Sequence, residues 1–203
     1  MKIFCVARNY GEHVKELNNA MPENPVVFMK PATAILQKNQ PFYLPSFSND
    51  MHYETEIVLK VAKNGKHIEE KFALSYISEV TVGIDFTARD IQAELKKKGL
   101  PWEIAKAFDK SAVIGKFIPY SDVKNIHDVN FCLYMNKKLT QKGNTSNMIY
   151  SIETLICFIS KYFTIQKGDL IYTGTPVGVG AVKQGDHLEA FIENESLLEF
   201  DIK

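Results

Sequence analysis

The stretch Tyr53-Glu54-Thr55-Glu56-Ile57-Val58-Leu59 does most to restrict how this chain can fold. Its β-branched residues and period-two alternation suit a strand, not a helix. Successive side chains of a strand take opposite faces. Glu54 and Glu56 therefore point the same way, about 6.5–7 Å apart at Cα, while Tyr53, Thr55, Ile57 and Leu59 take the other face. Two like charges at that spacing repel unless a cation or water separates them. The pair reads either as the solvated outer face of a half-buried strand or as oxygen ligands for a hard divalent cation. The strand is expected to run from Tyr53 to Ala62 and to close in a hairpin turn at Asn64-Gly65.

The same signals place strands at Met1 to Ala7, Val80 to Phe86, Phe131 to Asn136, Asp169 to Thr173, His187 to Glu193 and Ser196 to Ile202. Helices are expected over Gly11 to Asn18, Thr87 to Lys98 and Ser151 to Phe163. Thr87 and Asp90 have capping-box spacing, and Gly99 and Pro101 follow the second helix. The apolar residues Ile152, Leu155, Ile156 and Ile159 share one face of the third. Met21 to Pro45 holds five prolines and should be mostly extended or loop. Strands outnumber helices, which predicts a β-rich α+β domain.

A chain of 203 residues is expected to form one domain. Lys plus Arg number 24 and Asp plus Glu number 24. A zero balance argues against a nucleic-acid partner, since such proteins carry a basic excess. No apolar run reaches the ~20 residues that cross a bilayer, so no membrane partner is expected. The three cysteines, Cys5, Cys132 and Cys157, are odd in number and far apart, which points to a reducing compartment and a cytoplasmic location.

Further residues could carry chemistry. Asp85 ends an apolar strand just before a helix, where it either caps a turn or joins a site. Glu54, Glu56 and Asp85, with no cysteine or histidine cluster, would favour Mg²⁺ or Mn²⁺ over zinc. His13 and Glu16 lie three apart on the first helix and can hydrogen-bond, as a general base with its orienting carboxylate would, or simply as an exposed pair. Lys106 stands in a mildly apolar stretch, where most lysines snorkel. The glycine-rich Thr173–Gly180 lets backbone N–H groups approach an anion but lacks the features of a P-loop. Lys96-Lys97-Lys98 reads as a solvated helix end.

The order of these motifs resembles the fumarylacetoacetate hydrolase family, most closely its short acylpyruvase and oxaloacetate decarboxylase-like members. The matching text is Cys5-Val6-Ala7-Arg8-Asn9-Tyr10-Gly11-Glu12-His13, Phe28-Met29-Lys30-Pro31, Tyr53-Glu54-Thr55-Glu56 and Asp85-Phe86-Thr87-Ala88-Arg89-Asp90. It continues with Pro101-Trp102, Lys106, Phe108-Asp109, Gly168-Asp169, Thr173 to Gly180 and Gly185-Asp186. The family usually has glycine at Ala7, alanine at Gly11, and a cysteine-proline that Asp109 to Gly115 lacks.

The resemblance implies a β-roll of mixed sheets with peripheral helices, a single catalytic domain over 1–203 and a homodimer. It implies Glu54, Glu56 and Asp85 as ligands of Mg²⁺ or Mn²⁺, His13 with Glu16 as a catalytic dyad, and Lys106 as a catalytic lysine at the substrate. Arg89, Gln92 and Thr175 fall at substrate-binding positions. The leading expectation is a hydrolase that cleaves a C–C bond of acylpyruvate-like 2,4-dioxo acids to pyruvate and a carboxylic acid. The alternative is an oxaloacetate decarboxylase or dioxo-acid tautomerase or isomerase. A non-catalytic small-acid or metal-binding domain is the rival from another class.

Overall fold

The computed structural model describes residues 1–16, 20–36 and 40–203. The first helix is described over Gly11–Glu16, so residues 17 and 18 of its expected span lie outside the described residues. The chain is β-rich α+β, as expected. Its main sheet has eight strands. From one edge the order is Val26–Lys30, Ile3–Ala7, Leu170–Tyr172, Thr55–Val61, Ile77–Asp85, Ala112–Ile114 and Ile35–Leu36, with Ile118–Pro119 also on Ile77–Asp85. Ile3–Ala7 runs parallel to Leu170–Tyr172, and Ile35–Leu36 parallel to Ala112–Ile114. The other pairings are antiparallel.

Both faces of this sheet are covered. Ile57, Leu59, Val80, Val82 and Ile84 join one apolar cluster, which Ile152, Ile156 and Ile159 of the helix Ile152–Tyr162 complete. Ile3, Cys5, Val58, Leu170 and Tyr172 belong to a second cluster. Burial on both sides explains why Ile57-Val58-Leu59 carries no polar residue. Each such side chain contributes roughly 1.5–3 kcal/mol of transfer free energy. The helix is capped by Ser151, whose Oγ accepts from the Thr154 N–H at 3.2 Å.

A second, four-stranded antiparallel sheet has the order Lys138–Asn144, Asn130–Met135, His187–Ile192 and Glu195–Asp201. The three strands expected here from Phe131, His187 and Ser196 onward are all present. Among the described residues, no helix is long and apolar enough to cross a membrane.

Three local expectations are corrected. The strand expected over Tyr53 to Ala62 is two strands, Met51–Tyr53 and Thr55–Val61, interrupted at Glu54. The first pairs with Gly180–Ala181 and Thr87–Ala88 in a small third sheet, and the second enters the main sheet. Alternation looks the same on either side of such a switch, so the pattern does not reveal it.

Asn64-Gly65 does not form a two-residue hairpin. Thr55–Val61 and Ile77–Asp85 do pair, but the helix Glu70–Ala73 and the 3₁₀ turn Leu74–Tyr76 lie between them. Gly65 instead bridges to Ile165, and Asn64 Oδ1 accepts from the Lys167 N–H at 2.9 Å. Long-range docking claims the turn chemistry.

The helix expected from Thr87 begins at Arg89, and no capping box forms. Thr87 is spent on the small sheet. Asp90 accepts from Ser48 Oγ at 2.7 Å, Asn49 N at 2.9 Å and Ile91 N at 2.8 Å, fastening a distant loop. The far end is as expected: Gly99 adopts φ 65°, and the Leu100 N–H reaches Leu95 O at 2.9 Å.

Candidate active site

The point where the chain leaves one sheet for another brings the acids together. Thr55 lies opposite Ile84, and Glu56 opposite Gly83, in the antiparallel pair. The Asp85 N–H donates to Glu54 O at 2.8 Å. Adjacent strand ends therefore present Glu54, Glu56 and Asp85 to one cavity. Their oxygens lie within 4.8 Å of one another. Glu54 is 6%, Glu56 2% and Asp85 1% exposed, which replaces the solvated-face reading of the glutamates and the turn-capping reading of Asp85.

Three cations hold this cluster. Lys106 Nζ donates to Glu54 Oε2 at 2.7 Å and Asp85 Oδ2 at 2.8 Å. Arg89 donates to Glu54 Oε1 at 2.6 Å and to Gln92 Oε1 at 2.7 Å. Lys30 Nζ sits 2.7 Å from Asp85 Oδ1. It also donates to Ser111 Oγ at 2.9 Å and to the Lys106 carbonyl. Lys106 is buried, not snorkelling.

The electrostatics follow from these contacts. Burial alone would raise the Glu54 carboxyl, but Lys106 and Arg89 outweigh it and hold Glu54 well below the usual carboxylate range. Burial likewise opposes charge on Lys106, and Asp85 and Glu54 outweigh it, pushing the ammonium up. Glu56 is the exception. Burial and then the neighbouring Asp85 and Glu54 raise it well above the usual value. Its Oε2 accepts the Gly174 N–H at 2.7 Å. An all-oxygen, buried trio of which one member lacks a cationic partner among the described residues suits a hard divalent ion.

His13 is buried, and its Nδ1 lies 2.9 Å from Glu16 Oε2. The exposed-pair reading is thus replaced for His13, while Glu16 stays partly exposed. Glu16 Oε1 accepts the Gly178 N–H at 3.0 Å, which docks the helix Gly11–Glu16 on the glycine-rich loop. Thr175 Oγ1 accepts from Gln141 Nε2 at 2.9 Å, and Gln141 Oε1 accepts the Thr55 N–H at 3.0 Å. The loop and the acid-bearing strand are thereby tied together.

Gly174 has φ 105°, and a Cβ there would lie 2.7 Å from Asn9 Cβ. Gly174→Ala is expected to cost about 1–3 kcal/mol of stability and to displace the N–H from Glu56. Urea denaturation checks the first effect, and an unchanged midpoint would contradict it.

The walls of the cavity include His13, Glu54, Glu56, Asp85, Arg89, Gln92, Lys106 and Thr175. All the candidate residues except Glu16 are there, and Glu16 contacts His13 directly. The cavity is narrow, ≈ 30 Å³.

A family description, fumarylacetoacetate (FAA) hydrolase C-terminal, matches residues 2–202. The chain belongs to the fumarylacetoacetate hydrolase family. It is 41% identical over 201 residues to the mitochondrial oxaloacetate tautomerase of Mus musculus, covering 99% of this chain and 91% of that one. It is 40% identical over 203 residues to the mitochondrial oxaloacetate decarboxylase of Dictyostelium discoideum, covering 99% and 93%. Among solved structures, fumarylpyruvate hydrolase of Pseudomonas aeruginosa in complex with Mn²⁺ and pyruvate is similar at TM-score 0.94 and 33% identity. That match covers 100% of this chain and 89% of the other. These three relatives of the fumarylacetoacetate hydrolase family chain are enzymes named for small oxo acids.

Sequence reading missed four residues at the site. Lys30 and Arg8 lay inside matched motifs without a role. Gln141 gave no signal, because its contacts span 34 and 86 positions. Lys96 was assigned to a solvated run, yet it lines the cavity while Lys97 and Lys98 are exposed. Its spacing from Arg89 and Gln92, seven and four, puts all three on one helix face and could have found it.

Proposed function

We propose that residues 1–203 act as one catalytic domain that enolises short 2-oxo acids, with oxaloacetate-class acids as the leading substrates. The observation that carries this reading is the convergence of a buried carboxylate trio, a charged Lys106 and the His13–Glu16 pair on one narrow cavity. Glu54, Glu56 and Asp85 would hold Mg²⁺ or Mn²⁺, which would supply Lewis-acid polarisation of the 2-oxo carbonyl.

The protein's own groups supply the rest. Lys106 stays protonated between two carboxylates, so it can stabilise negative charge growing on the enolate oxygen. With its Nδ1–H given to Glu16, His13 has Nε2 free to take a proton, and Glu16 stabilises the imidazolium that results. In tautomerisation His13 would take a proton from the carbon next to the carbonyl. In decarboxylation the C–C bond breaks, CO₂ leaves and the electron pair passes to the same enolate, with no base needed for a water.

Hydrolysis of an acylpyruvate is the second reading, and the His13–Glu16 pair favours it. His13 would deprotonate a water that attacks the distal carbonyl, releasing a carboxylic acid and the pyruvate enolate. The similarity to relatives named for oxaloacetate supports enolisation as the first reading.

The test is purified protein with oxaloacetate and acetylpyruvate. Loss of enol absorbance and release of pyruvate are followed with Mg²⁺ or Mn²⁺, then with EDTA. Metal-dependent turnover of oxaloacetate is expected. No turnover of either acid with metal supplied would sink the reading. Binding linkage gives an independent check: Mn²⁺ at a hundred times its Kd should add about 2.7 kcal/mol, or roughly 5–11 °C in Tm for a chain of this size. An unmoved Tm over a millimolar titration would count against the metal site.

A further inference from the structure

The cavity carries more positive charge than its carboxylates use. Lys106, Arg89 and Lys30 are committed to Glu54 and Asp85. Arg8 and Lys96 line the same cavity and take part in none of these pairs. Glu94, one turn from Lys98 on the helix Arg89–Lys98, is taken by that lysine at 2.5 Å. Among the described residues, Arg8 Nε is buried without a hydrogen-bond partner. Arg8 also holds φ 60° immediately after the strand Ile3–Ala7, a conformation that non-glycine residues seldom keep without a reason.

Lys96 is half-buried, with Nζ 5.4 Å from the centroid of Trp102. Burial and the nearby Arg8 and Arg89 push its pKa down to about 8. Half-buried cations crowded together raise the free energy of the site, and an anion placed between them lowers it. The metal-ligand trio lies on strand ends, whereas Lys96 follows Arg89 and Gln92 up one helix face. The two uncommitted cations are therefore supplied by other elements than the three carboxylates.

We propose that Arg8 and Lys96 form a clamp for a second carboxylate, making the cavity selective for dicarboxylic over monocarboxylic oxo acids. This rests on the oxo-acid reading of the same cavity. The first carboxylate and the keto oxygen would face the trio and Lys106, and the distal carboxylate would face the clamp. A dianion supplies one charge for each end of the site.

Two stable hydroxy acids separate the ends without turnover: malate carries both carboxylates of oxaloacetate, and lactate carries one. Calorimetric titration of Mn²⁺-loaded wild type should show malate binding at least about tenfold tighter than lactate, the range of a charge-assisted contact. Lys96→Met and Arg8→Gln should each erase most of that preference by weakening malate, and Lys96→Arg should restore it. Thermal melts confirm that the variants fold. Equal loss of both ligands, an intact preference in both variants, or no malate preference in wild type would overturn the clamp. The outcomes stay separable from the reaction: malate preference without oxo-acid turnover keeps the clamp and removes the activity. Turnover without any such preference does the reverse.

Discussion

Asp85→Asn is expected to cut oxo-acid turnover by at least about a hundredfold and also to destabilise the fold. Asp85 is the anion that Lys30 and Lys106 share, at 2.7 and 2.8 Å, and all three side chains are buried. An amide in its place leaves the Lys30 ammonium in the interior without its charge partner and Lys106 with Glu54 alone. Breaking a buried pair from one side costs about 3–5 kcal/mol, because the remaining charge is uncompensated. At roughly 2–4 °C per kcal/mol for a chain of this length, Tm should fall by about 6–20 °C. Adding Lys30→Met removes one stranded cation and should return part of the loss. A Tm within 2 °C of wild type on the scale of about 6–20 °C would show that this pairing does not hold the cluster. Differential scanning calorimetry of the two variants makes the comparison.

His13→Ala is expected to separate the chemistries. Hydrolysis of acetylpyruvate and tautomerisation of oxaloacetate both need a proton moved at a defined atom, and a positioned base contributes about 10²–10⁴-fold. Both rates should fall by that factor. Decarboxylation of oxaloacetate needs only a sink for the electron pair, which Lys106 and the Mg²⁺ or Mn²⁺ held by the trio would supply. It should keep most of its rate. Stopped assays for pyruvate, run beside absorbance traces of the enol, resolve the three reactions on one preparation. Equal loss of all three would assign His13 to substrate binding and not to proton transfer.

Much of this architecture was legible in order along the chain. Apolar patterning located the four central strands of the main sheet and three of the second sheet, but not Val26–Lys30, Ile35–Leu36, Ala112–Ile114, Ile118–Pro119 or Lys138–Asn144. The spacing of Ile152, Leu155, Ile156 and Ile159 located the helix that covers one face. The acids were legible because a strand forces Glu54 and Glu56 to one side and because Asp85 ends an apolar run. Whether they met in water or in a cavity was not legible. That depends on the pairing of Thr55–Val61 with Ile77–Asp85, a long-range choice that local pattern leaves free. The misplaced hairpin at Asn64-Gly65 and the absent capping box at Thr87 share one cause. In each, residues with good local chemistry are taken by a partner far along the chain. Lys30 escaped notice for the opposite reason: a lysine closing a strand normally reaches water, and here Asp85, Ser111 and the Lys106 carbonyl surround its ammonium.

The loop from Thr173 to Gly180 holds an acid on each side of the site through backbone N–H groups. Gly174 N–H holds Glu56, and Gly178 N–H holds Glu16 behind His13. Both donors are glycines of positive φ with a neighbouring atom within 2.7 Å of any added Cβ, so this strap can drift in side chain only at its other positions. It cannot, however, retune one without shifting the other. Divergence toward new substrates is therefore easiest at Arg8, Gln92 and Lys96, which line the cavity with side chains that a single codon can exchange.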